Sequence, residues 1–325
     1  MAVAVKKLIV LLMVFSWTAG FSQTLSFKFG TPFKRADLDI QWNIPTNAIP
    51  KDVFVYRLSS NRFSPRTISY LMTLGPFTDK DRKWNRADGM RFTTPTNNLS
   101  ITYSIGAVGF QSLASFGPTN LARHVPSMSE LPALTTNFLG QLGIDIADVA
   151  KQPNGKPDFH FSEPFTEYAV GDKLFTNIAF RAVGFRRAVD GAQWVGANTG
   201  GDCRVEFGEF GKPSTIWLSW RKLERYKKCP AMTPRTIIES IRGGRAVQNM
   251  ISMDADSIDW STVKGIIVTR AEICYYAGGP FAPSDWLIPF VALWTTVDRG
   301  HGNIDVEIDC PIIDAGKPSA TTKEP

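Results

Sequence analysis

Histidine is scarce in this chain, with only His124, His160 and His301 among 325 residues, and none of them forms an H-x-x-x-H pair or stands beside a cysteine. That excludes the usual helical zinc sites. There is no C-x-x-C, no G-x-S-x-G elbow, no Walker loop and no G-x-G-x-x-G fingerprint, which removes the common hydrolase and nucleotide-binding signatures. Ser261 to Lys264 matches S-x-x-K without its companion motifs, and reads as a turn before a strand. Long apolar runs are also lacking: the longest covers residues 8–20, short of the roughly 20 residues a membrane-spanning helix needs. What is present is an ordinary folded composition, 43% apolar and 20% charged, with 26 Gly and 21 Pro spread along the chain. Disordered, collagen-like and coiled-coil readings are thereby excluded, and the length suits about two domains.

The start of the chain predicts export. Lys6 and Lys7 precede the apolar run, and the small residues Gly20 and Ser22 stand three and one before Gln23, the pattern of a cleaved signal peptide over 1–22, with an uncleaved anchor as the alternative. No cysteine follows the run, which argues against a lipoprotein anchor. The formal charge of +6 falls to +4 without residues 1–22, and so mild a basicity calls for no nucleic-acid partner. Part of it is local, in Arg221, Lys222, Arg225, Lys227 and Lys228. A solvated face explains that run, with contact to anionic lipid or wall polymer as the alternative. The four cysteines, Cys203, Cys229, Cys274 and Cys310, all lie in the C-terminal half, and in an oxidising compartment an even number predicts disulfides. Three connectivities are open; Cys203 with Cys229 and Cys274 with Cys310 would each close a local β unit. No cofactor is expected.

Helix signals are few and strand signals many. Ser64-Pro65-Arg66-Thr67-Ile68 and Thr233-Pro234-Arg235-Thr236-Ile237 each offer a hydroxyl N-cap, a proline at the first helical position and a glycine eleven residues after the cap. From Ser129 to Gly143, Leu131, Leu134, Phe138, Leu139 and Leu142 share one helical face. Alternation predicts strands at Leu99–Ile105, Ile178–Arg187 with Ala192–Val195 around an Asp190-Gly191 turn, Cys203–Phe207 with Thr215–Trp220, and a three-strand series at 266–276, 286–297 and 304–308. Helices placed before groups of strands, with no βαβ rhythm, predict an α+β fold whose antiparallel sheets are each packed by one or a few helices. The expected division is a domain over 23–120, a second over 125–313, and a polar tail over 314–325, with 151–158 as a surface loop.

Two residue groups carry possible function. Trp194, Trp217, Trp220, Tyr275 and Tyr276 make the second half rich in large rings, and several of these on one concave face would suit a peptide or a sugar polymer, with Arg186 and Arg221 as polar anchors. Asp305, Glu307 and Asp309 alternate with Ile304, Val306 and Ile308, so three carboxylates share a strand face near His301. A solvated outer face is the simpler account; a divalent-ion site, or a secreted hydrolase built on it, is the rival. Asp254, Asp256 and Asp259 lack the glycine and glutamate of an EF-hand loop and read as a connector.

The order of strand motifs adds a resemblance. The stretch Phe185-Arg186-Arg187-Ala188-Val189-Asp190-Gly191-Ala192-Gln193-Trp194-Val195-Gly196, then Arg204-Val205-Glu206-Phe207-Gly208, then the I-W-L-S-W strand, Ile273-Cys274-Tyr275-Tyr276 and Leu287-Ile288-Pro289-Phe290, resembles the PepSY-like and YycH/YycI-like exported proteins over about 125–312. The resemblance implies a noncatalytic α+β module that binds another protein, of the peptidase or sensor-kinase type, in the envelope or outside the cell. Peptidase inhibition is one form this would take. It assigns no catalytic residue, and it makes the hairpin around Asp190 structural. The kinase regulators of that kind keep an N-terminal membrane helix, whereas the pattern here is one of cleavage.

Overall fold

The computed structural model describes residues 30–112, 124–164, 166–170, 173–195, 200–249, 258–279, 282–300 and 302–313. The expected signal peptide and tail, His301, Asp254 and Asp256 lie outside these residues. In chain order the strands are β1 Gly30–Pro32, β2 Asp39–Trp42, β3 Asp52–Ser59, β4 Arg82–Arg86, β5 Gly89–Thr93, β6 Asn97–Thr102 and β7 Ala107–Ser112. There follow β8 His160–Ser162, β9 Thr166–Val170, β10 Lys173–Asn177, β11 Arg181–Arg186, β12 Ala188–Val189, β13 Ala192–Val195, β14 Gly201–Phe207 and β15 Pro213–Trp220. The last are β16 Lys222–Pro230, β17 Val247–Asn249, β18 Gly265–Gly279, β19 Ala282–Asp298 and β20 Asn303–Pro311. Three α-helices accompany them among the described residues: α1 Pro65–Leu74, α2 Leu131–Leu142 and α3 Pro234–Arg242. The fold is α+β, with largely antiparallel sheets.

Both proline-led helices start where the hydroxyl caps place them. Ser64 Oγ accepts from the Thr67 amide at 3.1 Å and Thr233 Oγ1 accepts from the Thr236 amide at 3.3 Å, each satisfying one of the amides left over at a helix start. Helix α2 ends at Gly143, whose φ of +70° is the left-handed stop that glycine supplies at little cost. The Asp190-Gly191 turn also forms as the dipeptide requires, with φ of +51° and +80°, and it pairs Val189 with Ala192.

The chain divides into two units, each discontinuous in sequence. The first takes residues 1–56, 225–278 and 287–325; the second takes 57–224 and 279–286. In the first unit the strand order is β1-β17-β20-β19-β18, with β2 parallel to β18. Helix α3 covers one face: Ile237 and Ile241 are fully buried in a cluster with Ile266, Val268, Leu293, Val306 and Ile308. Burying an isoleucine this fully stabilises by about 1.5 to 3 kcal/mol.

The second unit holds an eight-stranded sheet in the order β4-β5-β6-β7-β15-β14-β11-β8. Its registers make two transverse apolar rows, one of them Phe92, Leu99, Phe110, Ile216, Val205 and Val183, and against these pack Leu71 of α1 and Leu131, Phe138 and Leu139 of α2. The division expected at 120–125 therefore falls inside this unit. Strand β7, before that point, pairs with β15, after it, matching Phe110 to Ile216 and Val108 to Leu218. Turn residues at 116–126 look like a boundary, but a strand's hydrogen-bonding partner can come from any distance along the chain.

Candidate functional site

Period-two alternation sorts the aromatic candidates. On β15, Ile216, Leu218 and Trp220 face the core while Trp217 faces outward and is 48% exposed. Trp220 is buried against Phe185, ring centres 6.3 Å apart, under the Arg187 guanidinium at 5.2 Å. Trp194 is 1% exposed and lies on Gly201 so closely that a Cβ there would come within 2.4 Å of the indole. Tyr275 and Tyr276 are buried as well, Tyr275 edge-on to Tyr56 at 5.6 Å, and burial pushes the Tyr276 hydroxyl up to about 12. Arg221, the expected polar anchor and a member of the basic run, is 4% exposed. It donates from Nη1 to the Ser284 carbonyl at 2.6 Å and meets Asp285 at 3.3 Å, while its stem fills the space beside Gly200. Desolvation, offset in part by Asp285, lowers its pKa. Trp194, Trp220, Tyr275, Tyr276 and Arg221 are thus buried side chains: alternation turns Trp220 inward, close glycine contacts enclose Trp194 and Arg221, and β18 is covered on both faces where Tyr275 and Tyr276 stand side by side; Trp217 and Arg186 stay at the surface.

Trp217 belongs to a row running straight across the outer face of the eight-stranded sheet. Cross-strand registers place Trp84, Arg91, Ser100, Gly109, Trp217, Arg204, Gly184 and His160 opposite one another in turn. Directly paired positions on neighbouring strands stand about 4.5 to 5.5 Å apart, so these side chains form one continuous surface. Arg204 is held by Glu206 at 3.1 Å along its own strand. One row further, Arg186 stands opposite Asp202.

At the β11–β8 end of this row lies a cavity of about 600 Å³, lined by Asp158, His160, Gly184, Arg186, Gln193 and Asp202, with Phe185 and Cys203 completing its floor. His160 is 70% exposed and its Nε2 is 3.3 Å from Asp158 Oδ2. Arg186 donates from Nη1 to Gln193 Oε1 at 3.4 Å, one of the five N–H groups a guanidinium carries. The lining is therefore polar, with two carboxylates, one guanidinium, one imidazole and one amide around a glycine. Of these only Arg186 stands out from composition alone. The missed signal was Gly184 itself: a glycine in the middle of a strand marks a bulge or a close approach.

The acidic strand does not gather into a metal site. Asp305 and Asp309 are four residues apart on extended β20, about 13 Å along the strand, so one ion cannot take all three carboxylates. Asp305 is exposed and accepts from Thr296 Oγ1 at 2.8 Å. Asp309 is 2% exposed, contrary to a solvated face, and among the described residues no group of three or more His, Cys, Asp or Glu converges. Asn249 Nδ2 donates to Glu307 Oε1 at 2.8 Å and to Asp309 Oδ2 at 3.3 Å, and the Asp309 carboxyl, when protonated, hydrogen-bonds to Glu307. Burial, and then the charge of Glu307, push the Asp309 carboxyl up to about 8, so it holds its proton at neutral pH.

The expected disulfides are absent: all four cysteines are thiols. Strand β19 separates β18, which carries Cys274, from β20, which carries Cys310, and two strand spacings of about 4.8 Å exceed the reach of a disulfide. Cys203 sits in the second unit's core cluster, whereas Cys229 lies on the stretch of β16 that belongs to the first unit. Burial raises all three of the Cys203, Cys229 and Cys310 thiols, Cys310 to about 12.

No family model and no curated protein matches this chain. Among solved structures it is similar to an uncharacterized protein from Eubacterium rectale ATCC 33656, with a TM-score of 0.41 and 8% identity over 88% of this chain and 91% of that one. So distant a likeness carries no functional inference.

Proposed function

We propose that this chain is an exported, noncatalytic binding module that receives an extended ligand of the envelope or the extracellular space on the outer face of its eight-stranded sheet. The observation that carries the reading is Trp217, a half-exposed indole on an interior strand, in line with Arg204 and with Gly184 and His160, two of the residues that line a polar cavity. A large ring left in water on the same row as convergent polar groups suits recognition. Export rests on the basic, apolar and small-residue order of residues 1–22. The resemblance to PepSY-like and YycH/YycI-like proteins supports the noncatalytic role. The rival hydrolase or divalent-ion site on Asp305, Glu307, Asp309 and His301 gains no support from acids that one strand spreads apart.

The test is a crosslinked pull-down from the native envelope with the parent chain and with Trp217→Ala. Loss of the captured ligand at an unchanged melting temperature is the expected result. Equal capture by both proteins refutes this face as the recognition surface. In a second arm, the mature chain is assayed against envelope proteases, and marked slowing would move the reading to peptidase inhibition.

A further inference from the structure

We propose that the cavity over Gly184, together with Trp217, is a subsite for a neutral glycan segment, with Gly184 kept small so that a sugar ring can lie on the strand. This rests on the outer-face reading above and deepens it. Gly184 is the centre of the argument because the fold does not need a glycine there. Its φ is not in the left-handed region, and a Cβ added to it would meet only the carbonyl oxygens of Cys203 and His160, at 4.0 Å, which is ordinary contact. Gly109, three strands away on the same row, differs: its Cβ would press to 2.9 Å from Ser100 Oγ, so packing alone accounts for it. A strand-interior glycine without a packing reason costs stability relative to alanine, and such positions mark places where something else approaches the backbone.

The lining selects the ligand's chemistry. Asp158 and Asp202 offer acceptors, Arg186 offers donors, and Gln193 and His160 offer both, within one cavity of about 600 Å³. Sugar hydroxyls donate and accept at once and match such a set. Anionic polymers meet two carboxylates in the cavity and Glu206 beside Arg204, and are disfavoured. An extended peptide docks best by adding a strand to a sheet edge, whereas Trp217 and Gly184 lie on interior strands and offer a face, on which a peptide's amides and carbonyls find few partners. Trp217 and Gly184 are separated by the strand that carries Arg204, about 9.6 Å centre to centre, which lets one ring stack on the indole, the next pass over Arg204 and the one after settle over the glycine.

The experiment is calorimetric titration of the full chain with neutral cello-, xylo-, manno-, malto- and chito-oligosaccharides, with polygalacturonate and an unstructured peptide pool as comparison ligands. The variants are Gly184→Val, Gly184→Ala, Arg186→Gln and Trp217→Ala. The expected result is binding of at least one neutral oligosaccharide, weakened about tenfold or more by Gly184→Val and by Arg186→Gln. Gly184→Ala should keep or raise the melting temperature, showing that the position tolerates a side chain. The proposal is overturned if no neutral oligosaccharide binds, if Gly184→Val binds as the parent does, or if only the peptide pool or the polyanion binds. Peptide binding lost in Trp217→Ala would overturn the glycan while leaving the outer-face reading standing; a bound glycan indifferent to both Gly184→Val and Trp217→Ala would overturn both.

Discussion

Replacing Asp309 by asparagine should make the protein more stable at neutral pH, and the gain should vanish in acid. The unfolded chain ionises an aspartate near 3.9, whereas burial and Glu307 hold the Asp309 proton in the fold up to about 8. Between those values the folded state carries one proton more than the unfolded state, so stability falls as pH rises, and it levels off below about 4 and above about 8. The slope is a little more than about 1 kcal/mol per pH unit, and so up to about 2 to 3 kcal/mol is lost between pH 5 and pH 7. Asparagine keeps the shape and an N–H to offer Glu307, but has no proton to lose. The exposed carboxylates that hydrogen bonds hold low, such as Asp81 and Glu130, are common to both proteins and cancel in the difference. Urea unfolding of parent and variant at pH 5, 6 and 7 measures that difference directly. It should widen toward pH 7; a difference constant to within about 0.5 kcal/mol refutes the protonated pair.

Four further outcomes follow from the geometry. Arg221→Ala should cost about 2 to 4 kcal/mol through lost packing beside Gly200 and the lost bond to Ser284, with ligand capture by the surviving folded fraction and retention on anionic vesicles both unchanged, read by thermal melts and flotation. Trp217→Ala should shift stability by less than about 1 kcal/mol, since the ring is half in water already, as urea titration would show. Alkylation in denaturant without reductant should label all four cysteines, and in the native state Cys203 and Cys310 should react slowest; a species lacking two labels would contradict the thiol assignment. Gly211→Ala should destabilise, because φ is +67° there and the new methyl would meet Leu134 at 3.2 Å, and a melt that rises instead would refute it.

Local chemistry was legible in the sequence where it acts locally. The Ser64 and Thr233 caps, the Gly143 stop and the Asp190-Gly191 turn are each fixed by neighbours a few residues away, and each forms as its residues predict. What stayed hidden depends on partners far along the chain. Aromatic enrichment looked like a binding surface, but whether Trp194 meets solvent is decided by Gly201, and whether Arg221 does is decided by Gly200 and Ser284. The cysteine pairing failed for the same reason, since which strand intervenes between Cys274 and Cys310 is a property of sheet order. The site itself was visible only in part: Arg186 and Trp217 were named, while Gly184, His160, Asp158 and Asp202 come together through pairings between β8, β11 and β14.

The joining of β7 to β15 has a consequence for how the molecule is made. The ribbon β4–β7 is complete once residue 112 leaves the ribosome, yet the strand that covers its open flank begins at Pro213. At roughly 5 to 20 residues per second, that flank waits on the order of 5 to 20 s for its mate. A nascent chain stalled in that interval would offer bare amides and carbonyls beside Val108 and Phe110, a ready template for another copy. Slowed translation or premature truncation between these points should therefore drive the product into inclusion bodies more strongly than equal shortening elsewhere, and a chaperone that shields nascent strands should relieve it.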